Sequence, residues 1–166
     1  MRALPTAFVA CLLAAPCLAQ EPVGCDKFKW PLDQERAMLG AAEMPAVASG
    51  ANLAKPPPLA VALTLVAFGQ ANLPLEPERA PKPQTSAGFV AVGAPARPGV
   101  YKVSLSDAGW VDVVQAGRRV KSAAFSGVTG CAGIRKSVKF NLAAAPFTVE
   151  ISGAAANSIR LAITAE

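Results

Sequence analysis

The chain has 166 residues, enough for one domain with a real core, and its 16 Lys and Arg against 11 Asp and Glu leave a net charge of +5. That excess is too small to argue for nucleic acid without a dense patch. There is no histidine, which removes the common general base of hydrolases, histidine-ligated zinc and the two-histidine-one-carboxylate iron site.

Met1–Ala19 has the layout of a secretory signal peptide. Arg2 supplies the positive start, Ala7–Ala15 a short apolar run and Cys17-Leu18-Ala19 small residues before a cut after Ala19. The expected location is the periplasm or the exterior. Cys11 and Cys17 leave with the signal, and Cys17 follows Pro16, a poor context for a lipid anchor. The exported chain keeps Cys25 and Cys131, which most simply join as a disulfide. No apolar run after the signal is long enough to cross a bilayer.

Residues 20–58 read as an N-terminal arm. Pro31 suits a first helical position, with Asp33 and Glu35 in the first turn, so the pattern predicts a short helix ending near Leu39 or Gly40. Trp30 reads as the anchor that packs this helix onto the rest. Residues 41–58 are rich in Ala and Pro and read as a stiff connector. Residues 59–166 read as the main domain. Leu59, Val61, Leu63 and Leu65 share one face of a strand. A second proline-rich link, Pro74 to Pro83, follows. Strands are then predicted over Phe89–Val92, Val100–Leu105, Trp110–Gln115, Arg118–Phe125, 137–142, 147–152 and 159–164, separated by Gly, Pro and Asn turns. The last of these carry one apolar and one wet face each. The fold class is therefore mainly β: an antiparallel sandwich of about seven to eight strands with a short N-terminal helix.

Catalytic motifs are scarce. No serine stands three residues before a lysine, and Gly-x-Ser-x-Gly is missing. Gly130-Cys-Ala-Gly-Ile-Arg-Lys-Ser fails as a phosphate loop because Arg135 occupies a required glycine. A glycosidase needs only two carboxylates, so Asp112 and Glu150 are the acids to weigh. Both lie on predicted strands, and Glu150 alternates outward, which favours cross-strand ion pairs with Lys139 or Arg160. Trp110 and Tyr101 sit in alternating strands and read as core rather than as a sugar-stacking surface.

The basic residues Arg118, Arg119 and Lys121 on one strand, with Arg135, Lys136 and Lys139 after the Cys131 loop, are the strongest functional candidates. Brought together, they form a patch for an acidic polymer, a lipid head group or a protein. The ordinary alternative is a solvated face with a charge excess.

Cys25-Asp-Lys-Phe-Lys-Trp-Pro-Leu with Glu35-Arg36-Ala37, Pro98-Gly-Val-Tyr-Lys-Val-Ser-Leu, Trp110-Val-Asp-Val-Val and Cys131-Ala-Gly-Ile-Arg-Lys-Ser-Val-Lys-Phe together resemble a family of small exported bacterial proteins of unassigned activity. The resemblance implies export and brings no catalytic residues. The Pro98–Leu105 piece is also similar to strands of pre-peptidase C-terminal-type sandwich modules, which are accessory binding or folding modules of secreted proteins. The reading is thus a monomeric, non-enzymatic envelope protein without cofactor or metal, docking an anionic glycan, lipid surface or protein. The alternatives are a structural or assembly factor for another exported protein, and a carboxylate-based hydrolase.

Overall fold

A computed structural model describes residues 21–166. The signal peptide read at Met1–Ala19 lies outside them. After a 3-10 turn at Cys25–Lys27, the elements are helix α1 (Asp33–Leu39) and strands β1 (Ala46–Ala48), β2 (Ala51–Leu53), β3 (Leu59–Thr64), β4 (Val66–Ala67), β5 (Ser86–Val92), β6 (Gly99–Leu105), β7 (Trp110–Gln115), β8 (Arg118–Val120), β9 (Ser122–Gly127), β10 (Lys136–Leu142), β11 (Phe147–Ala154) and β12 (Ser158–Ala165). No helix among them is long and apolar enough to cross a membrane.

The strands build two sheets. The first runs β1-β3-β12-β6-β10-β9, and the second runs β2-β5-β11-β7-β8, with β4 also on β5. Period-two alternation places the apolar set of each strand between the sheets. Leu63, Val103, Leu105, Val113, Val149, Ile151, Leu161 and Ile163 meet there, fully buried.

The architecture is the expected β-sandwich, but its strand count and pairing differ from the expectation. Among the described residues there are twelve strands, and the sheets are mixed because β1 pairs with β3, and β2 with β5, in parallel. The stretch 41–58, read as a connector, carries β1 and β2, which at three residues each are too short to show a period. Consecutive strands also change sheet. β1 passes to β2 at Ser49–Gly50, β3 to β4 at Leu65, and β8 to β9 at Lys121. No Gly, Pro or Asn marks the crossings at Leu65 and Lys121, so the alternation from Leu59 to Leu65 runs into the crossing unbroken and Arg118–Phe125 reads as one strand.

The outer faces are covered too. On the first sheet, Leu32 and Leu39 of the arm pack on Ala162 and Ile134, with Phe28, Trp30 and Met38 around them. Trp30 is the anchor expected of it. Small side chains at Ala60 and Ala162 let α1 approach. Arg160 donates to the carbonyls of Leu39 (2.7 Å) and Ala41 (3.1 Å), satisfying the end of the helix. Beneath it Glu35 is buried against Lys102 Nζ at 2.6 Å and accepts from the Thr164 hydroxyl. Burial pushes the Glu35 carboxyl up, but the Lys102 and Thr164 contacts outweigh it and hold the group below its ordinary value. Because the folded value is depressed, this stabilisation is present above the unfolded value and is lost as pH falls through the folded one.

Cys25 and Cys131 are joined, with Cα atoms 4.8 Å apart and a sequence separation of 106. The bridge ties the arm to the loop before β10. Closing a loop of that length removes much of the entropy of the unfolded chain. The Cys25→Ser, Cys131→Ser double variant is expected to lose about 4 kcal/mol in denaturant unfolding, with reduced wild type matching it. A loss under about 1 kcal/mol would show that the arm is held by packing alone.

Candidate functional site

Ala116 and Gly117 both have positive φ, 52° and 71°, so they form the tight turn that joins β7 to β8. β8 pairs only with Val113–Gln115 before the chain leaves for the other sheet. On its β8 side, β7 at Trp110–Asp112 therefore has no strand beside it among the described residues. Opposite lie β9 and β10 of the first sheet. Between them opens a cavity of about 690 Å³, lined by Trp110, Phe125, Arg135, Lys136, Arg79 and Lys82 among others. Its size is ordinary for a small-molecule or side-chain site.

Lys136 is the central group. It shares the core-facing register of Val138 and Phe140, so its side chain enters the gap between the sheets. Nζ donates to the Gly109 carbonyl at 2.7 Å and lies 5.6 Å from the Trp110 ring and 5.2 Å from the Phe125 ring. Among the described residues no carboxylate lies within ion-pair distance of it. Burial, then the charges of Arg135 and Arg79, push its ammonium down to about 8, with Glu21 pulling the other way. Arg79 sits over Trp110 at 5.8 Å. Arg135 donates to the Val128 carbonyl at 2.7 Å and pairs with Glu21. Gly127 stands directly across from Lys136. A Cβ there would lie 2.9 Å from the Phe125 ring, so glycine keeps the corner open.

The six predicted basic residues do not form one patch. Arg135 and Lys136 line the cavity, while Arg118 and Lys121 are exposed nearby. Lys139 faces the other way, since three residues on a strand reverse the side chain. It stacks 4.3 Å from the Trp30 ring and pairs with Glu166. Arg119 lies on the outer face of the second sheet, 3.2 Å from Asp112. Tyr101 is buried as expected, its hydroxyl donating to the Arg97 carbonyl at 2.9 Å. Trp110 is half-buried and forms the cavity wall rather than core.

Asp112 and Glu150 also differ from the expectation. They stand directly opposite each other on β7 and β11, 3% and 2% exposed, and neither pairs with Lys139 or Arg160. The proline-rich link covers them. Leu75 N–H donates to Glu150 Oε1 at 2.9 Å, and Glu78 N–H to Asp112 Oδ2 at 3.1 Å. Leu75 and Glu78 each follow a proline, and theirs are the link N–H groups that the carboxylates take. Arg119 completes the clasp by donating to the Glu76 carbonyl. This fastening holds residues 78–82 as one wall of the cavity. Glu150 Oε2 is buried without a partner. Burial raises the Glu150 carboxyl, the Asp112 charge adds to the effect, and the Leu75 N–H and Arg119 oppose it.

Sequence reasoning missed Arg79 and Phe125, and it treated Trp110 as core. The signal for Lys136 was present in its even spacing with Val138 and Phe140. Among the described residues, no group of three or more Cys, Asp or Glu is placed to hold a metal ion. Comparison with protein-family models, with curated proteins and with solved structures finds no match.

A folded-state value raised above the unfolded one means that the Glu150 contribution is fully present in acid and lost as pH rises through the folded value. Glu150→Gln is therefore expected to raise the unfolding midpoint at pH 7, with the gain shrinking toward pH 4. Thermal melts across that range check it.

Proposed function

We propose that this chain is an exported binding module, not an enzyme, and that it docks an anionic partner in the cavity between the β7 edge and β9–β10. The observation that carries this reading is Lys136. A cation set among aromatic rings, without a carboxylate of its own among the described residues, is costly to desolvate. An incoming anion offsets that cost and is in turn met by Arg79 and Arg135. The site is preorganised, because Gly109, Trp110 and Phe125 fix the Lys136 side chain before anything binds.

The acids point to the same conclusion. Asp112 is engaged by the Glu78 N–H and Arg119, and Glu150 by the Leu75 N–H through one oxygen, with its other oxygen buried, an arrangement suited to fastening rather than to proton transfer on a substrate. The Cys25–Cys131 bridge agrees with an oxidising compartment, as does the signal-like start of the chain. The likeness of residues 98–105 to accessory sandwich modules fits a binding role.

Retention on a polyglutamate matrix at low salt tests the reading. The Arg79→Glu, Lys136→Met variant is expected to bind about tenfold or more weakly, since charge-assisted hydrogen bonds contribute about 1.5–3 kcal/mol each. Lys139→Glu, on the opposite face, changes little. Wild-type retention declines as pH rises past about 8, where the Lys136 ammonium loses its proton. Equal retention of all variants would remove the cavity as the site.

A further inference from the structure

Among the described residues the exposed large apolar side chains are Val23, 65% accessible, and Phe125, 49% accessible. Both lie along one edge of the first sheet. β9 is the terminal strand of that sheet, paired with β10 on one side and, among the described residues, without a strand neighbour along Ser122–Gly127 on the other. Just beyond its end the same edge already accepts a strand. Val23 bridges Thr129 in parallel, Gly24 N–H donates to the Thr129 carbonyl at 2.8 Å, and Thr129 N–H donates to the Pro22 carbonyl at 2.9 Å.

An open edge is a template for another chain unless something guards it. β9 is lightly guarded: its sequence, Ser-Ala-Ala-Phe-Ser-Gly, has no proline and no charge, and one register break at Ala123, opposite Lys139–Phe140, leaves Ala124–Gly127 in regular pairing. Ser122, Ala123 and Phe125 are exposed along it. Phe125 lies across from Val138, so it faces the gap between the sheets and borders the cavity. A strand laid on this edge sets every second side chain over the cavity mouth. The cations there are Lys136, Arg79 and Arg135, the last paired with Glu21, with Lys121 exposed just before the strand; Glu78 and Asp112 also line the cavity and are held by the link and Arg119. Two copies of this edge bring like charges together. An acidic segment brings opposite ones.

Resting on the cavity reading above, we propose that β9 is the docking edge for an extended acidic segment of another polypeptide, which adds as the outermost strand of the first sheet and sets a carboxylate against Lys136 and Arg79. The backbone ladder contributes affinity, and the alternate side chains contribute specificity.

The test uses the oxidised protein and a capped peptide of alternating Glu and Val. Its arms are the same peptide N-methylated at alternate residues, a Lys–Val counterpart and an oligogalacturonate of matched charge. Binding is read by titration, and the β9 amides are read by hydrogen exchange. The expected result is binding of the Glu–Val peptide with slowed exchange in Ser122–Gly127. Affinity is expected to fall about tenfold or more on N-methylation and in the Phe125→Glu variant, with no binding of the Lys–Val peptide. Equal binding of the N-methylated peptide, or tighter binding of the oligogalacturonate, overturns the strand and leaves the anionic cavity standing. Failure of every anion to bind overturns both. A concentration-dependent dimer that protects β9 without peptide assigns the edge to a second copy and overturns the proposal.

Discussion

The register of β10 decides where the cations of this protein go. Val138 lies across from Val103 and Phe125, and Phe140 from Tyr101, so the odd positions between them turn outward. That single choice sends Lys136 into the gap between the sheets and Lys139 onto the arm. A slip of one residue would exchange them, turning Lys139 and Ser137 into the core and Val138 and Phe140 onto the outer face. The apolar cost of that slip is what keeps the lysine at the cavity in place. The site is thus held by the same ladder that builds the core.

Two covered outer faces give the molecule its other character. Most sandwiches leave those faces wet. Here the arm lies on one and the proline-rich link on the other, and each is fastened through a buried carboxylate. The two carboxylates meet opposite environments. Glu35 receives Lys102 and Thr164, and its charge is favoured despite burial. Glu150 receives one backbone N–H and faces Asp112, and its charge is disfavoured. The arm is held by a satisfied ion pair, and a charge-strained clasp holds the link. It is the link that borders the cavity, so the less satisfied fastening lies beside the proposed docking site.

The crossings between sheets explain why the site is where it is. β1 and β2 are joined by Ser49–Gly50, and β8 and β9 by Lys121, so a continuous chain spans both open sides of the sandwich. At the β8–β9 side the span is short because the Ala116–Gly117 turn sends back only a brief strand. The corner left uncovered becomes the cavity.

What the sequence carried by itself is local. Alternation in residues 59–65, 100–105 and 159–164 marks strands and their core faces, because burial on one side of a pleat leaves a period of two. An even cysteine pair behind a signal-like start points to a bridge, and Pro31 with two early acids points to a short helix. Lys136 on the core face was also legible, from its spacing with Val138 and Phe140. What only tertiary structure decided is what covers each face and where neighbours from distant parts of the chain meet. Leu75 and Glu78 reach β11 and β7 through backbone N–H groups, which leave no trace in side-chain pattern. Arg79 meets Trp110, and Lys139 meets Trp30, across separations that no periodicity records. The sheet crossings are silent for a related reason: a strand that changes sheets keeps its apolar side toward the same core.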